Sequence, residues 1–289
     1  MPLIERLAII GTGLIGGSFA LALKQAGQVG SVVGAGRSQK NLEVARTRGI
    51  IDEIAPDPVQ AVKNADFVLL AVPVGQMETV MQSIASSLKA DAVISDAGST
   101  KQDVIALAQQ HLSANLNWFV PGHPIAGAET AGAQSARADL FNGKNVVLAP
   151  LPETNFKALV KVQSAWQACG AVVSIMQAGQ HDRIFAAVSH LPHLLAYALV
   201  DMLASRPDRD LFFNYAASGF RDFTRIAGSS PEMWRDIALA NRHALLIELA
   251  AYESKLEELK AALSSANGDL LTRIFSRAQE ARNTWARQD

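Results

Sequence analysis

The sequence predicts an α/β protein: a Rossmann-like, doubly wound parallel sheet followed by an all-helical domain that forms a dimer. Three observations support this prediction. Short apolar runs alternate with helix-like segments up to residue 175, a glycine-rich turn follows the first run, and no strand pattern appears beyond residue 176. We therefore predict a dinucleotide-binding domain at residues 1–174 and a helical domain at 175–289.

The first strand and the turn after it have the pattern of a dinucleotide site. An apolar run at 7–10 is followed by Gly11, Gly13 and Gly16 in the spacing G-x-G-x-x-G, and a helix pattern begins near Phe19. The first glycine permits a tight turn, the second lets the backbone approach a pyrophosphate, and the third lets the helix pack on the strand. A glycine-rich turn without a ligand is the alternative, but the flanking strand and helix favour dinucleotide binding.

The end of the second strand, predicted at 31–34, indicates which dinucleotide binds. An NAD site usually has an Asp or Glu there, which binds the ribose. This segment contains no acid and instead presents Arg37 and Ser38, which can bind a 2′-phosphate. The alternative is a solvated arginine. We predict a preference for NADP, with NAD possible.

The remaining elements continue the alternation. Strands are predicted at 67–72, 92–95, 118–121, 145–149 and 171–175, and helices at 41–48, 78–88 and 153–169. The carboxyl ends of such strands line the cofactor crevice, next to the start of the first helix. On this basis the further cofactor-binding residues are predicted to be Leu14, Ile15, Val72, Pro73 and Asp96.

The second half reads as helices. One is predicted at 180–205, bent near Pro192, and a long one at 231–264 after Ser230 as its N-cap. Asn267 and the glycine after it end that helix, and a last helix follows.

Composition excludes several classes of protein. Of the 289 residues 49% are hydrophobic and 18% are charged, which is typical of a well-packed globular protein. The net charge of −1 gives no indication of nucleic acid or of an acidic membrane surface. The apolar stretch 186–204 contains His190 and Asp201, so we interpret it as a buried helix and not a membrane span. The single cysteine, Cys169, and the early first strand, which leaves no room for a signal peptide, favour the cytoplasm.

Several polar residues could carry chemistry. His123 precedes Pro124 after a strand, so it is expected on a restricted loop at the crevice, where it could act as a general base or merely cap the backbone. His190 and His193 share a helix face; no cysteine or carboxylate completes a zinc site, so substrate binding or packing is expected. The pair at 181–182, His then Asp, could orient a ring or cap the helix.

The segment 219–225 is predicted to be an arginine-bearing loop. One of its arginines could hold a carboxylate through two parallel hydrogen bonds. A surface salt bridge is the alternative, particularly for Arg221.

Taken together, these motifs resemble the prephenate/arogenate dehydrogenase family of tyrosine biosynthesis. The resemblance runs from about residue 7 to about residue 260 and rests on the segments 13–18, 96–101, 123–127, 189–193 and 222–236. It implies hydride transfer from ring C4 of a cyclohexadiene acid to a nicotinamide, loss of CO₂ and aromatisation. The substrate would be prephenate or arogenate, and the active site would lie between the two domains of a homodimer.

The resemblance also implies residue roles. His123 would accept the C4 hydroxyl proton, Ser99 would hydrogen-bond the hydroxyl or the nicotinamide, and Arg225 would anchor a substrate carboxylate. Further substrate contacts would come from His193, His190, Glu129 and Trp234. No metal is implied.

Two rival interpretations are weaker. A β-hydroxyacid dehydrogenase or imine reductase shares the domain order, but the hydroxyacid enzymes need a lysine early in the helical half, and no lysine lies between residues 175 and 254. A non-catalytic NADP-binding regulator would bind cofactor without turnover.

Overall fold

The main sheet has the strand order of a dinucleotide-binding fold. The structure is a computed structural model, which describes residues 1–127 and 130–286. Six strands form this sheet: β1 (Ile4–Ile10), β2 (Val29–Ala35), β3 (Glu53–Ile54), β4 (Phe67–Leu70), β5 (Val93–Asp96) and β6 (Phe119–Val120). They are parallel and lie in the order β3-β2-β1-β4-β5-β6. Since 3-2-1-4-5-6 is the Rossmann order, the predicted fold class is confirmed.

Helices cover both faces of this sheet. They are α1 (Leu14–Gln25), α2 (Gln39–Thr47), α3 (Pro58–Val62), α4 (Met77–Ile84), α5 (Gln102–His111) and α6 (Phe156–Ala168). On one face Trp166 packs against Phe19 with ring centroids 4.5 Å apart. On the other face Met77 and Val104 are fully buried against the strands. Burial on both faces explains why β4 reads as an unbroken apolar run.

The predicted start of α1 is wrong by about five residues. The helix begins at Leu14 rather than near Phe19. Glycine disfavours helix, so the first turn with Gly16 and Gly17 reads as loop. The structure forms a helix there because the absence of side chains lets this turn pack closely on β1.

A second sheet replaces the predicted continuation of the first. The strands β7 (Gly122–Pro124), β8 (Asn145–Leu148) and β9 (Val172–Ile175) form a separate three-stranded sheet, in which β7 runs antiparallel to β8. His123 therefore lies on a strand opposite Val147 and not on a loop. The partner strand lies about 20 residues away in sequence, so no local pattern predicts the pairing.

Helices make up the described chain beyond Ile175. They are α7 (Ala178–Phe185), a π-helical turn (Ala186–His190), α8 (Leu191–Ala204), α9 (Arg209–Asn214), α10 (Ser218–Thr224), α11 (Pro231–Ala240), α12 (Arg242–Ser264) and α13 (Gly268–Trp285). The predicted bend near Pro192 corresponds to the π-helical turn just before it. Ser230 caps α11 as predicted, since its side chain accepts a hydrogen bond from the backbone N–H of Met233.

Two predictions about these helices are wrong. The single helix predicted at 231–264 is two helices: α11 ends at Ala240 with Asn241 as its C-cap, and α12 begins at Arg242. The Asn241 side chain is buried and hydrogen-bonds the Asp182 carbonyl and the His190 ring. The segment 219–225 is not a loop: most of it belongs to α10, and Arg225 begins a 3₁₀ turn.

Contacts divide the chain into two compact units, Met1–Arg242 and His243–Asp289. The domain boundary at residue 174 stays a prediction. The stretch Ala178–Ala204 is long and apolar enough to span a membrane, and 28% of its most apolar window is buried. Within a single chain this helix is therefore only partly buried, whereas the sequence predicted a buried helix. His181, Asp182 and His190 on this stretch are buried and hydrogen-bonded to other elements, which favours packing within protein.

Candidate active site

The glycine-rich turn after β1 has the shape of a dinucleotide cradle. Gly11 has φ +101°, a conformation that side chains disfavour, and a Cβ there would collide with the carbonyl of Ala71. A Cβ on Gly16 would collide with the carbonyl of Gly11 and with the Ile9 side chain. A Cβ on Gly13, in contrast, would meet no protein atom within 4 Å, so this face of the turn is open to a ligand.

The start of α1 completes the cradle. Gly13 is its N-cap and makes no side-chain hydrogen bond to the helix. Leu14 and Ile15 are its first two residues, so their backbone N–H groups belong to the unpaired set that binds phosphate. Val72 and Pro73 follow β4 directly, at the carboxyl edge of the sheet. These residues fit a dinucleotide cofactor.

The end of β2 presents a cation to this edge. Arg37 is exposed, and its Nη2 and Nη1 lie 2.9 and 3.2 Å from the side-chain amide of Gln76, whose oxygen can accept both hydrogen bonds. Ser38 is the N-cap of α2, where its hydroxyl accepts from the backbone N–H of Asn41 at 3.2 Å. The Ser38 hydroxyl proton is still able to donate to a ligand.

Asp96 lies at the end of β5, as the sequence predicted, but its side chain is fully buried among protein groups. Its contact with the cofactor stays a prediction. Its carboxylate accepts from the Lys101 ammonium and from the backbone N–H groups of Gly98 and Gly122, at 2.8 and 3.0 Å. These bonds fix the loop after β5 and the start of β7, which carries His123.

Three polar side chains form one hydrogen-bonded line that ends at His123. Nδ1 of His123 lies 2.8 Å from Nε2 of His181, and Nδ1 of His181 lies 2.8 Å from a carboxylate oxygen of Asp182. That carboxylate also accepts the backbone N–H groups of Lys101 and Gln102, at 2.8 and 2.9 Å, and so caps α5. His123 is half-buried, whereas His181 and Asp182 are buried. Nδ1 of His123 has a hydrogen-bond partner, whereas Nε2 has none among the described residues and is available to a ligand.

The surroundings keep the His123 ring neutral. Burial is the main cause that holds the pKa of His123 well below its usual value, and the nearby His181 and Lys101 add to it. Burial also lowers the pKa of His181, against the opposing effect of Asp182. Burial works against ionisation of Asp182, yet its hydrogen bonds from His181 and the backbone hold its pKa below the usual value. At neutral pH His123 is therefore a neutral imidazole that is joined through His181 to an ionised carboxylate.

A second group of predicted residues meets at α8 and α11. His193 stacks on Trp234 with ring centroids 3.5 Å apart and planes inclined by 19°. Nδ1–H of His193 donates to the carbonyl of Ser189 at 2.9 Å, which leaves Nε2 for a ligand. Burial lowers the pKa of His193, the hydrogen bond to Ser189 opposes this, and the positive charge of Arg225 lowers it further. Arg225 is exposed and near His193.

His190 lies between these two groups. It is buried, accepts from the Asn241 side chain at 3.0 Å and packs edge-on against Trp234. Burial lowers its pKa to about 4. An open, apolar cavity of about 270 Å³ lies beside it, lined by His190, Leu194, Tyr197, Pro231, Trp234, Arg235 and Ala238.

Of the two remaining predicted site residues, Ser99 and Glu129, the structure describes only Ser99. Ser99 is half-buried on the loop between β5 and α5. Glu129 lies outside the described residues. Within residues 1–127 and 130–286, no group of three or more His, Cys, Asp or Glu side chains is placed to hold a metal ion.

The sequence did not indicate four contacts that shape the site. Lys101 binds Asp96, and Gln76 faces Arg37. Asn241 joins His190 to the Asp182 carbonyl, and His181 is the direct partner of His123. The adjacent His181 and Asp182 gave the one available signal. Nothing local could show that His181 meets a residue 58 positions earlier.

The fold and this site define a nicotinamide-dependent dehydrogenase. The sequence pattern of "Prephenate dehydrogenase, nucleotide-binding domain" matches residues 19–175, and that of "Prephenate dehydrogenase, dimerization domain" matches residues 177–277. This chain belongs to the prephenate dehydrogenase family.

Individual relatives agree with this assignment. Cyclohexadienyl dehydrogenase of Zymomonas mobilis is 38% identical over 98% of this chain and 96% of its own length. The crystal structure of A. aeolicus prephenate dehydrogenase with hydroxyphenyl propionate and NAD⁺ has a TM-score of 0.88 at 35% identity, covering 99% of this chain and 98% of that one. Synechocystis arogenate dehydrogenase has a TM-score of 0.81 at 29% identity, covering 97% of this chain and 100% of that one. Neither rival interpretation gains support.

The second and third glycines of the cradle, Gly13 and Gly16, provide a matched test of its geometry. Gly16→Ala should lower the free energy of unfolding by about 1–3 kcal/mol, because the new methyl group must displace backbone. Gly13→Ala should leave the fold intact and raise the dissociation constant of the dinucleotide at least tenfold, because its methyl group enters the ligand's space. Thermal melting and fluorescence titration measure the two effects. Unchanged cofactor affinity in Gly13→Ala would contradict the assignment of the cradle.

Proposed function

We propose that this protein oxidatively decarboxylates prephenate, arogenate or both in tyrosine biosynthesis. Membership of the family supports the type of reaction. The observation that best supports this reaction in the present protein is the state and position of His123. His123 is a neutral imidazole whose Nε2 has no hydrogen-bond partner among the described residues. It follows Gly122, which binds Asp96 at the end of β5, so it lies near the carboxyl edge of the main sheet, the edge that also carries the cofactor cradle. A neutral histidine at that position can accept the proton of a ring hydroxyl.

The chemistry requires a base that returns its proton. As the hydride leaves C4, the C4 hydroxyl proton moves to Nε2 of His123. The C1–carboxylate bond then breaks, CO₂ departs, and its electron pair completes the aromatic ring with negative charge on the oxygen. That oxygen takes the proton back, so the reaction neither consumes nor releases one. When bound, the nicotinamide supplies the hydride acceptor.

The second group of residues is suited to holding the substrate. The guanidinium of Arg225 is always charged and can bind both oxygens of a carboxylate. His193 offers Nε2 beside it, and Trp234 fixes the His193 ring by stacking. We propose that Arg225 anchors a substrate carboxylate, that His193, His190 and Trp234 line the binding site, and that Ser99 hydrogen-bonds near C4. The proposed contact from Glu129 lies outside the described residues.

Steady-state assays of nucleotide reduction, with prephenate and with arogenate, test the function. His123→Asn should lower kcat by about 10²–10⁴-fold with little change in KM, because it removes the base. Arg225→Ala should raise KM for the acid by about 30- to 1,000-fold, with a smaller effect on kcat, because a charge-assisted bidentate contact is lost. Arg225→Lys should recover part of the affinity.

Arg221, one turn before Arg225 and also exposed, serves as the matched control. A rise in KM in Arg221→Ala, with Arg225→Ala normal, would move the carboxylate anchor to Arg221. No turnover of either acid by the wild-type protein, with bound cofactor, would refute the proposed function.

We further propose that the cofactor is NADP by preference. No acidic side chain follows β2 to bind a free ribose or to repel a phosphate, and Arg37 stands there exposed. The Gln76 amide lies where it can hold the guanidinium in place. A 2′-phosphate would meet a guanidinium fork and the Ser38 hydroxyl.

Arg37→Ala should raise KM for NADP at least tenfold more than KM for NAD, because only NADP carries the 2′-phosphate. Initial rates with each cofactor, at saturating acid, measure this ratio. Arg46→Ala is the control, since it removes an exposed arginine of the same region from the far end of α2. Equal effects of Arg37→Ala on both cofactors would exclude the proposed preference.

We also propose that the protein is a cytoplasmic homodimer. The matched dimerization pattern covers 177–277, and this region leaves large apolar side chains exposed, among them Val188, Met202, Leu211, Tyr215, Phe223, Leu246 and Ile247. Apolar surface of this extent usually marks an interface, and a two-fold dimer is the commonest arrangement. Light scattering at micromolar concentration should give the dimer mass; a monomer mass would refute it.

A further inference from the structure

We infer that His181 and Asp182 form a relay behind His123 that fixes its tautomer and takes up the substrate's hydroxyl proton through it. This inference rests on the proposed function, in which His123 is the base. It is based mainly on the two consecutive hydrogen bonds, each 2.8 Å long, that join His123 to His181 and His181 to Asp182.

The hydrogen-bond pattern admits one set of tautomers. The ionised carboxylate of Asp182 can only accept, and it already accepts the backbone N–H groups of Lys101 and Gln102. His181 must therefore carry its proton on Nδ1, which leaves Nε2 as an acceptor. His123 in turn must donate from Nδ1, so the lone pair of the neutral ring lies on Nε2, where the substrate's proton arrives.

The charges favour moving that proton inward. Lys101 and Asp96 are fully buried and neutralise each other. The Asp182 carboxylate accepts hydrogen bonds from the His181 ring and from backbone N–H groups at the start of α5. A positive charge on either ring would face Lys101, but on His181 it would also contact the Asp182 carboxylate directly.

The titratable groups that surround the two rings come from four elements: Asp96 of β5, Lys101 at the start of α5, His181 and Asp182 of α7, and His190 of the π-helical turn. With His190 neutral, one added proton brings this set to zero net charge. Without it, the set carries one negative charge, held at Asp182. Asp103 of α5, whose pKa burial raises, also lies near Lys101 and Asp182, so the surroundings supply at least one negative charge to balance the added proton.

The proposed transfer is balanced at every bond. The substrate O–H bond breaks as an N–H bond forms at Nε2 of His123, and the proton on Nδ1 of His123 passes to Nε2 of His181. His181 is then an imidazolium paired with Asp182. Each bond change reverses when the phenolate of the product takes its proton back, so His181 and Asp182 end as they began.

Two substitutions at His181 separate its two roles. In His181→Gln the amide can still accept from Nδ1 of His123, but it cannot take up a proton, so kcat should fall about tenfold. In His181→Leu the partner is lost, so kcat should fall about 100-fold or more. KM for the acid and the dissociation constant of the cofactor should stay within about twofold in both. His111→Gln, the same substitution on α5, should be silent.

The pH profile provides a readout that a packing role would not move. In the wild type, activity should be full above, and lost below, the apparent pKa of the coupled pair. In His181→Gln the limb should move to lower pH by about one unit, because His123 then titrates alone in its buried site.

An unmoved acid limb with normal kcat in His181→Gln would overturn the relay. If His181→Leu does not fold, His181→Gln and its pH profile decide the question. Failure of the relay is distinct from failure of the proposed function, since the latter requires that the wild type itself turn over neither acid.

Discussion

The Asp182 carboxylate is the group on which the rest of the site depends. It caps α5 through two backbone N–H groups, and it binds the His181 ring that in turn binds His123. The backbone carbonyl of Asp182 accepts a hydrogen bond from the side chain of Asn241, the C-cap of α11. Through its carboxylate and its backbone carbonyl, this one residue joins the loop after β5, the first helix after the sheets, and the helix that carries Trp234.

The buried Asp96–Lys101 pair makes this arrangement possible. Both side chains are inaccessible to solvent, and each also binds the backbone of Gly122, next to His123. Removing one partner of a buried pair costs about 3–5 kcal/mol, because the remaining charge stays buried without compensation. The pair therefore secures the position of β7, and its mutual neutralisation leaves the Asp182 charge to act on the two histidines.

The cofactor side and the substrate side of the site are also in contact. The turn that carries Gln76 packs against α11, and the carboxylate of Asp236 sits so close to Gly75 that a side chain at Gly75 would collide with it. The helix that presents Trp234 thus rests on the turn that faces Arg37. The proposed substrate residue Trp234 and the proposed cofactor residue Arg37 are thereby linked through one short piece of backbone, residues 74–76.

Local sequence patterns sufficed for the fold class, the glycine cradle and the N-cap at Ser230, because apolar periodicity, glycine spacing and capping residues act over a few positions. The roles of His123, His193 and Arg225 came from the resemblance to a family and stay proposals. Local patterns failed for the start of α1, for the second sheet, for the break at Asn241 and for the burial of Asp96. In each of these cases a distant partner outweighs local preference: β1 accepts a glycine-rich helix turn, β8 pairs with β7, and Lys101 binds Asp96 in the interior. The line from Asp182 to His123 joins residues 58 and 59 positions apart, so only the folded chain brings those charges and lone pairs together.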